Sequence, residues 1–416
     1  MDKKPLISKY LAIGIVLLFL GTSIPVCAYS VHNSQFNGVS AIVDKNSNLN
    51  PLAGDKWMRI FFGHDVELQG HAIQTSDGGF LLVGYCYNDD SIILIKTNSR
   101  GIKEWKKSIG ENKSYFAATI KKTSNDTYVI VGSMGTSPNN DLLLIKIDSM
   151  GNVLWEKTID TGHDEICYDF IVTNLGDILI VGGIDITWYS GQNLVVKTDS
   201  EGNMLWAKTY VVSEVKDYLY GVDETAEGGF IITGTFLANG ESYVWLIRTT
   251  VDGDVIWDKK FNRNGMGNGV SVQQTSDNGF IIGAESSDIN FRLWVLKIDN
   301  QGNMIWNKTY GVIRGTYISS VKQTSDNGFI ICGYIGKRLL MTNGLLIKTD
   351  SEGNKEWSRT YSGLGHGGFF SVEQTTDGGY ILGGDSCSCL GFVIDFFNSD
   401  LWLVKTDKNG RVWSLW

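Results

Sequence analysis

The sequence predicts an all-β protein: a seven-bladed β-propeller of four-stranded antiparallel blades, its ring closed by an N-terminal strand. Three periodic signals carry that expectation. Tryptophan recurs at 57, 105, 155, 206, 257, 306, 357 and 413, at intervals of 48 to 56 residues. A glycine–aromatic step shares the period, as Asp77-Gly78-Gly79-Phe80, Glu227-Gly228-Gly229-Phe230, Asp277-Asn278-Gly279-Phe280, Asp326-Asn327-Gly328-Phe329 and Asp377-Gly378-Gly379-Tyr380. Asn125-Asp126-Thr127-Tyr128 and Leu175-Gly176-Asp177-Ile178 are degenerate copies. A basic-x-polar step follows at Lys96-Thr97-Asn98, Lys146-Ile147-Asp148, Lys197-Thr198-Asp199, Arg248-Thr249-Thr250, Lys297-Ile298-Asp299, Lys348-Thr349-Asp350 and Lys405-Thr406-Asp407. Units of this length that cannot bury both faces alone must stack, and seven of them close into a disc.

The chain begins with a basic segment, Asp2-Lys3-Lys4 and Lys9, and an apolar run from Tyr10 to Val26. Val26-Cys27-Ala28 places small residues at a cleavage site after Ala28, so residues 1–28 are expected to be a secretory signal peptide. An uncleaved signal anchor and a lipidated Cys27 are the alternatives. Residues 29–54 are polar and without periodicity and are expected to be a linker. The propeller is expected over 55–416.

Within each unit the sequence reads as four strands. In the sixth, Ser319–Thr324 alternates and Phe329–Gly333 is a continuous apolar run. Leu345–Thr349 and Lys355–Tyr361 follow, with turn residues between the segments. The last unit is irregular, because Asp407 and Trp413 are six apart where the other units have seven. Residues 56–62, which match a fourth strand, are therefore expected to complete blade seven from outside and to protect its edge. In each Asp-x-x-Gly hairpin the Asp should cap backbone amides while the Gly takes positive φ. One or two carboxylates per turn make a weak case for calcium there. The basic residue and the following Trp, such as Lys96 and Trp105, should meet across the hairpin, by cation–π contact or with the lysine stem lying over the ring.

The composition excludes several classes. Hydrophobic residues make up 43% and aromatic residues 12% of 416 residues, which excludes global disorder. The formal charge of −9 argues against a nucleic-acid partner. After the first apolar run no segment is long enough to span a membrane, so membrane contact is expected only through the N-terminal segment if it stays uncleaved.

The pattern Lys197-Thr198-Asp199-Ser200-Glu201-Gly202-Asn203, ending on Trp206, resembles the strand-turn-strand mark of quinoprotein-like propeller repeats. It is most similar to secreted prokaryotic repeats that read DGGF…GY…LIKTDSxGNxxW, over about residues 57–416. The resemblance implies a propeller and says almost nothing about chemistry. It departs from quinoproteins by one residue in its spacing. The adjacent-cysteine pair of quinoprotein dehydrogenases is also interrupted, as Cys387-Ser388-Cys389.

Function is expected on the face whose loops differ between units, formed by the strand-two-to-three loops and the connections between blades. Those loops set aromatic rings beside acids, a combination that holds sugars or peptides by stacking and hydrogen bonding. The candidate ligand-binding residues are Tyr87, Asp89, Asp90, Trp188, Tyr189, Tyr243, Asp288, Phe291 and Phe396. No catalytic residue, metal ligand or cofactor is expected. His64, His163 and His366 fall in inter-blade loops but lack metal-binding spacing. Cys332 should be a free core thiol. Cys387 or Cys389 has a candidate disulfide partner in Cys86. The expected function is secreted or cell-surface binding of an extracellular glycan, peptide or protein. A propeller enzyme (quinoprotein-like oxidoreductase, lactonase or lyase) and a structural surface-layer component are the alternatives.

Overall fold

The computed structural model describes residues 56–61, 67–110, 114–123, 126–136, 139–186, 191–210, 217–286, 292–311, 315–336, 342–363, 366–387 and 399–412. They form seven four-stranded antiparallel sheets, and the described residues contain no helix. Six sheets use four consecutive strands. In the seventh, Trp57–Phe61 pairs with Ser399–Thr406 and lies outside Tyr380–Cys387 and His366–Gln374. Trp57 stands opposite Lys405, as Trp105 stands opposite Lys96 and Trp206 opposite Lys197. The N-terminal strand thus supplies blade seven with the ring that its own hairpin spaces differently.

The core is not inside blades but between them. Seven buried clusters each combine residues of two neighbouring blades. One contains Ile73, Leu81 and Leu94 of blade one with Tyr115, Ile130 and Leu143 of blade two. The seam between the last and first blades is built like the others, from Leu401 and Leu403 against Ala72, Phe80 and Leu82. Strand two, apolar on both faces, is therefore covered on both faces.

The repeated polar residues are joinery. In the Asp-Gly-Gly-Phe turn, Gly78, Gly228 and Gly378 take φ near 80°, and Asn278 and Asn327 take the same place at 63°. That conformation suits Gly and, next best, Asn. A Cβ on the following Gly79 would meet the Lys96 ammonium at 2.6 Å. The ammonium sits there because Lys96 is buried and pairs with Asp77 at 2.7 Å. Lys197–Asp177, Arg248–Glu227, Lys297–Asp277, Lys348–Asp326 and Lys405–Asp377 repeat this pair, with cation side chains at most 9% exposed. In blade three the acid has moved two places along the turn, yet the pair survives.

Lys96 and Trp105 meet across the hairpin as expected, and only the cation–π alternative is corrected. They are register partners, but the ammonium turns to carboxylates rather than to the ring. The expected contact forms at Lys146, whose ammonium lies 5.8 Å from the Trp155 ring and bonds Glu201 at 3.5 Å. Blade two has Asn125 where every turn but that of blade three carries an acid. On four other outer strands the cation over the indole is the residue two places on, as in Lys208 over Trp206 and Arg359 over Trp357.

The Asp-x-x-Gly turn behaves as expected. Oδ1 of Asp148 accepts the amides of Met150 and Asn152, and Oδ2 accepts the Asn152 side chain. Asp199, Asp299 and Asp350 repeat the pattern. Both oxygens are thereby engaged within the turn. The turn glycines lie at φ 70–81°. The outer-strand indole of the preceding blade covers six of them, for example Trp306 over Gly353.

Candidate functional site

The first strand of each blade lies innermost, and successive first strands bridge to one another. Gln274 Oε1 accepts the amide of Ala226, Gln323 that of Ser276, Gln374 that of Ser325, and Gln74 that of Thr376. Every first strand also carries a bulge, between Leu68/His71, Phe116/Thr119, Cys167/Asp169, Leu219/Gly221, Gly269/Ser271, Ile318/Ser320 and Phe369/Ser371. A bulge leaves a residue without a ladder partner and re-aims its side chain. Tyr168, Tyr220 and Phe370 occupy this place. The Tyr168 and Tyr220 rings, from adjacent blades, are 4.9 Å apart, and Phe370 lies 6.5 Å from His71 across the seam.

Charges identify the axis. Lys121 of blade two acts on His71 of blade one, Asp223 of blade four and Glu373 of blade seven. Lys322 of blade six acts on Asp223 and Glu373 as well. Blades so far apart around a ring interact this way only if their side chains share its centre. Lys121, Asp223, Lys322 and Glu373 stand next to the end of their strands, toward the regular hairpin face. Lys121 also lies 3.9 Å from Asp169. Burial raises the carboxyls of Asp223 and Glu373, and the two lysines pull them back. Burial, with Lys121 adding to it, drops His71 to about 3 and keeps its ring neutral.

Toward the irregular face the channel becomes aromatic. Tyr317 and Tyr334 are stacked at 4.7 Å, and Tyr218 stacks on Tyr220 at 5.8 Å. Two carboxyls stand among them. Burial pushes Glu285 up to about 8, and its charge acts on Tyr220, Tyr317 and Tyr334. Burial pushes Asp385 up to about 7, and Asp385 also acts on Tyr334. Each carboxyl accepts an amide of the next blade, Ile318 for Glu285 and Gln69 for Asp385. Ser133 fills the same strand-two position in blade two and accepts from Cys167. The four tyrosines and Asp385 keep partial exposure while being enclosed by protein, as expected of a channel lining.

Four of the nine sequence-derived candidates are described. Tyr87, Asp89 and Asp90 share the blade-one turn. Tyr85 donates to Asp90 at 3.1 Å, and Tyr87 packs edge-on against Tyr85. Tyr243, in blade four, donates to Glu241 at 2.7 Å, and Asn262 donates to the same oxygen. These contacts hold their own loops together. Trp188, Tyr189, Asp288, Phe291 and Phe396 lie outside the described residues, as do His64, Cys389 and the expected signal and linker segments. His163 pairs with Asp185 at 2.7 Å rather than with its neighbour Asp164, and His366 Nδ1 accepts the amide of Thr342. Cys332 is a buried free thiol, and Cys86 belongs to the core between blades seven and one.

No protein-family model and no curated protein matches the chain. Among solved structures it is similar to a protein of unknown function from Dyadobacter fermentans DSM 18053. The TM-score is 0.51 at 12% identity, over 71% of this chain and 96% of that one. It is also similar to Chaetomium thermophilum Sqt1 bound to the N-terminus of the ribosomal protein L10. There the TM-score is 0.48 at 10% identity, over 79% and 80% of the two chains. At these identities the likeness is one of fold. The chain is a seven-bladed β-propeller.

Proposed function

We propose that this propeller is a binding module that takes a glycan, a peptide or a segment of a protein partner into the irregular mouth of its central channel. The observation that carries this reading is the stacked Tyr317–Tyr334 pair beside Glu285 and Asp385. Rings offer flat apolar surface to a sugar face or a side chain. Carboxyls that keep their protons near neutral pH can donate as well as accept hydrogen bonds. Such a mouth suits hydroxyl- and amide-bearing chains better than anions. The residues 1–28 support a secreted or cell-surface location, and the Lys197–Trp206 pattern supports kinship with secreted prokaryotic repeats.

A second reading, catalysis, is favoured by the same two carboxyls, because proton affinities near neutrality suit acid–base work. Against it, each is already bonded to a neighbouring blade, and His71 is a weak base. One experiment tests the first reading. The exported protein is purified, its intact mass is read for a start at Tyr29, and it is applied to glycan and peptide arrays beside a Tyr317→Ala/Tyr334→Ala variant. Hits lost in the variant while thermal stability is retained support channel binding. Hits that persist in the variant, or an array without hits, overturn it.

A further inference from the structure

We propose that Asp141, Asp160 and Glu165 form a Ca²⁺ site that ties blade two to blade three at the irregular face. Asp141 lies on the third strand of blade two (Asn139–Ile147), and Asp160 follows its fourth strand (Val153–Ile159). Glu165 opens the first strand of blade three (Glu165–Val172). Leu142 pairs with Ile159, so one step further along Asp141 faces Asp160. One ligand oxygen from each of the three lies within 4.8 Å of the others. Two oxygens coordinated at about 2.4 Å can stand at most about twice that distance apart, so this spacing fits one calcium sphere.

The cluster is unbalanced as it stands. Like charges set opposite each other across a ladder repel. Glu165 is 0% exposed. Its Oε1 accepts the Thr161 amide at 2.9 Å, the Thr161 hydroxyl, and the His163 amide at 3.3 Å. Its Oε2 is buried and has no hydrogen-bond partner. No Lys, Arg or His among the described residues pairs with any of the three carboxylates. Burial and the charge of Asp160 together raise both Asp141 and Glu165. A buried carboxylate with one oxygen lacking a donor, set within 4.8 Å of two further carboxylates, is satisfied by a cation. Three oxygen ligands select a hard divalent ion, and the exposed side at Asp160 leaves room for the waters that calcium retains. The ion would brace the connection 160–164, which also carries His163, the partner of Asp185 after the second strand of blade three.

The test is calorimetric titration of the purified full-length protein with calcium chloride after chelator treatment, with melting curves in calcium and in EDTA. The expected result is one saturable site and a melting temperature that rises with calcium. Asp160→Asn, at an exposed position, should weaken binding by about tenfold or more. It should also raise the melting temperature in EDTA, because one repelling charge is gone. Glu165→Gln is the second variant and should also lose the site, with circular dichroism confirming that both variants are folded. Absence of saturable binding at millimolar calcium would overturn the proposal. So would binding that survives in both variants, which would put the ion in the repeated Asp-x-x-Gly turns.

Discussion

Asp385 shows how much a single residue of the channel can reveal. In the unfolded chain its carboxyl ionises near 3.8, and in the folded channel burial holds it at about 7. Between those values the folded state keeps a proton that the unfolded state has released. Stability contributed by this proton is therefore full below about pH 4 and declines as pH rises toward 7. Asp385→Asn should flatten that decline and gain about 2–4 kcal/mol over the wild type at pH 8 relative to pH 4. Melting curves across the range check it; an unchanged slope would mean the carboxyl is better hydrated than its enclosure suggests. At this scale the sequence was only partly legible. Asp77, Lys96 and Gly79 could be found because they recur, although their mutual contact could not. Tyr220, Tyr317 and Phe370 could not be found, because channel positions keep no common residue from blade to blade and the bulges that aim Tyr220 and Phe370 leave no mark. A usable signal did exist. Ile73, Lys121, Ile171, Asp223, Gln273, Lys322 and Glu373 occupy equivalent places and share no chemistry.

At the scale of the element, the hairpin between strands three and four was almost fully readable. Its Asp caps amides and its Gly takes positive φ, as the spacing alone implied. What the spacing could not show is that each hairpin is also a socket for the blade before it. Trp306 covers Gly353, and the Tyr310 hydroxyl donates to the Gly353 carbonyl. A Cβ at Gly353 would come within 2.8 Å of the Trp306 ring while the residue sits at φ 76°. Gly353→Ala should therefore cost about 2–4 kcal/mol, from left-handed backbone strain plus displacement of the indole. Gly378→Ala, whose added methyl meets nothing within 4 Å, should cost only the strain, about 1–2 kcal/mol. The difference between the two, measured by chemical denaturation, separates the socket from the turn. The irregular loops were the least readable elements. Tyr87, Asp90 and Tyr243 were singled out for their chemistry, and the structure shows them bonded to neighbours in their own blades.

For the whole molecule, the period made the seven blades legible, and the short spacing at Asp407 pointed to the closing strand. Removing residues 56–61 should leave Ser399–Thr406 as an open edge and strip Trp57 from Gly101. Such a variant should melt at a lower temperature and self-associate, as light scattering would report. A monomer with an unchanged melting point would show that closure is dispensable. The same strand has a consequence in time. Lys56 and Asp407, joined at 2.9 Å, are 351 positions apart. During synthesis the outermost strand of the last blade emerges first and its partner emerges last. Blades one to six can assemble in order as the chain appears, but the seventh cannot, because it joins the first strand of the propeller to the last. Completion of the ring therefore waits for residues 399–406, and it depends on the search of an early segment for a late one.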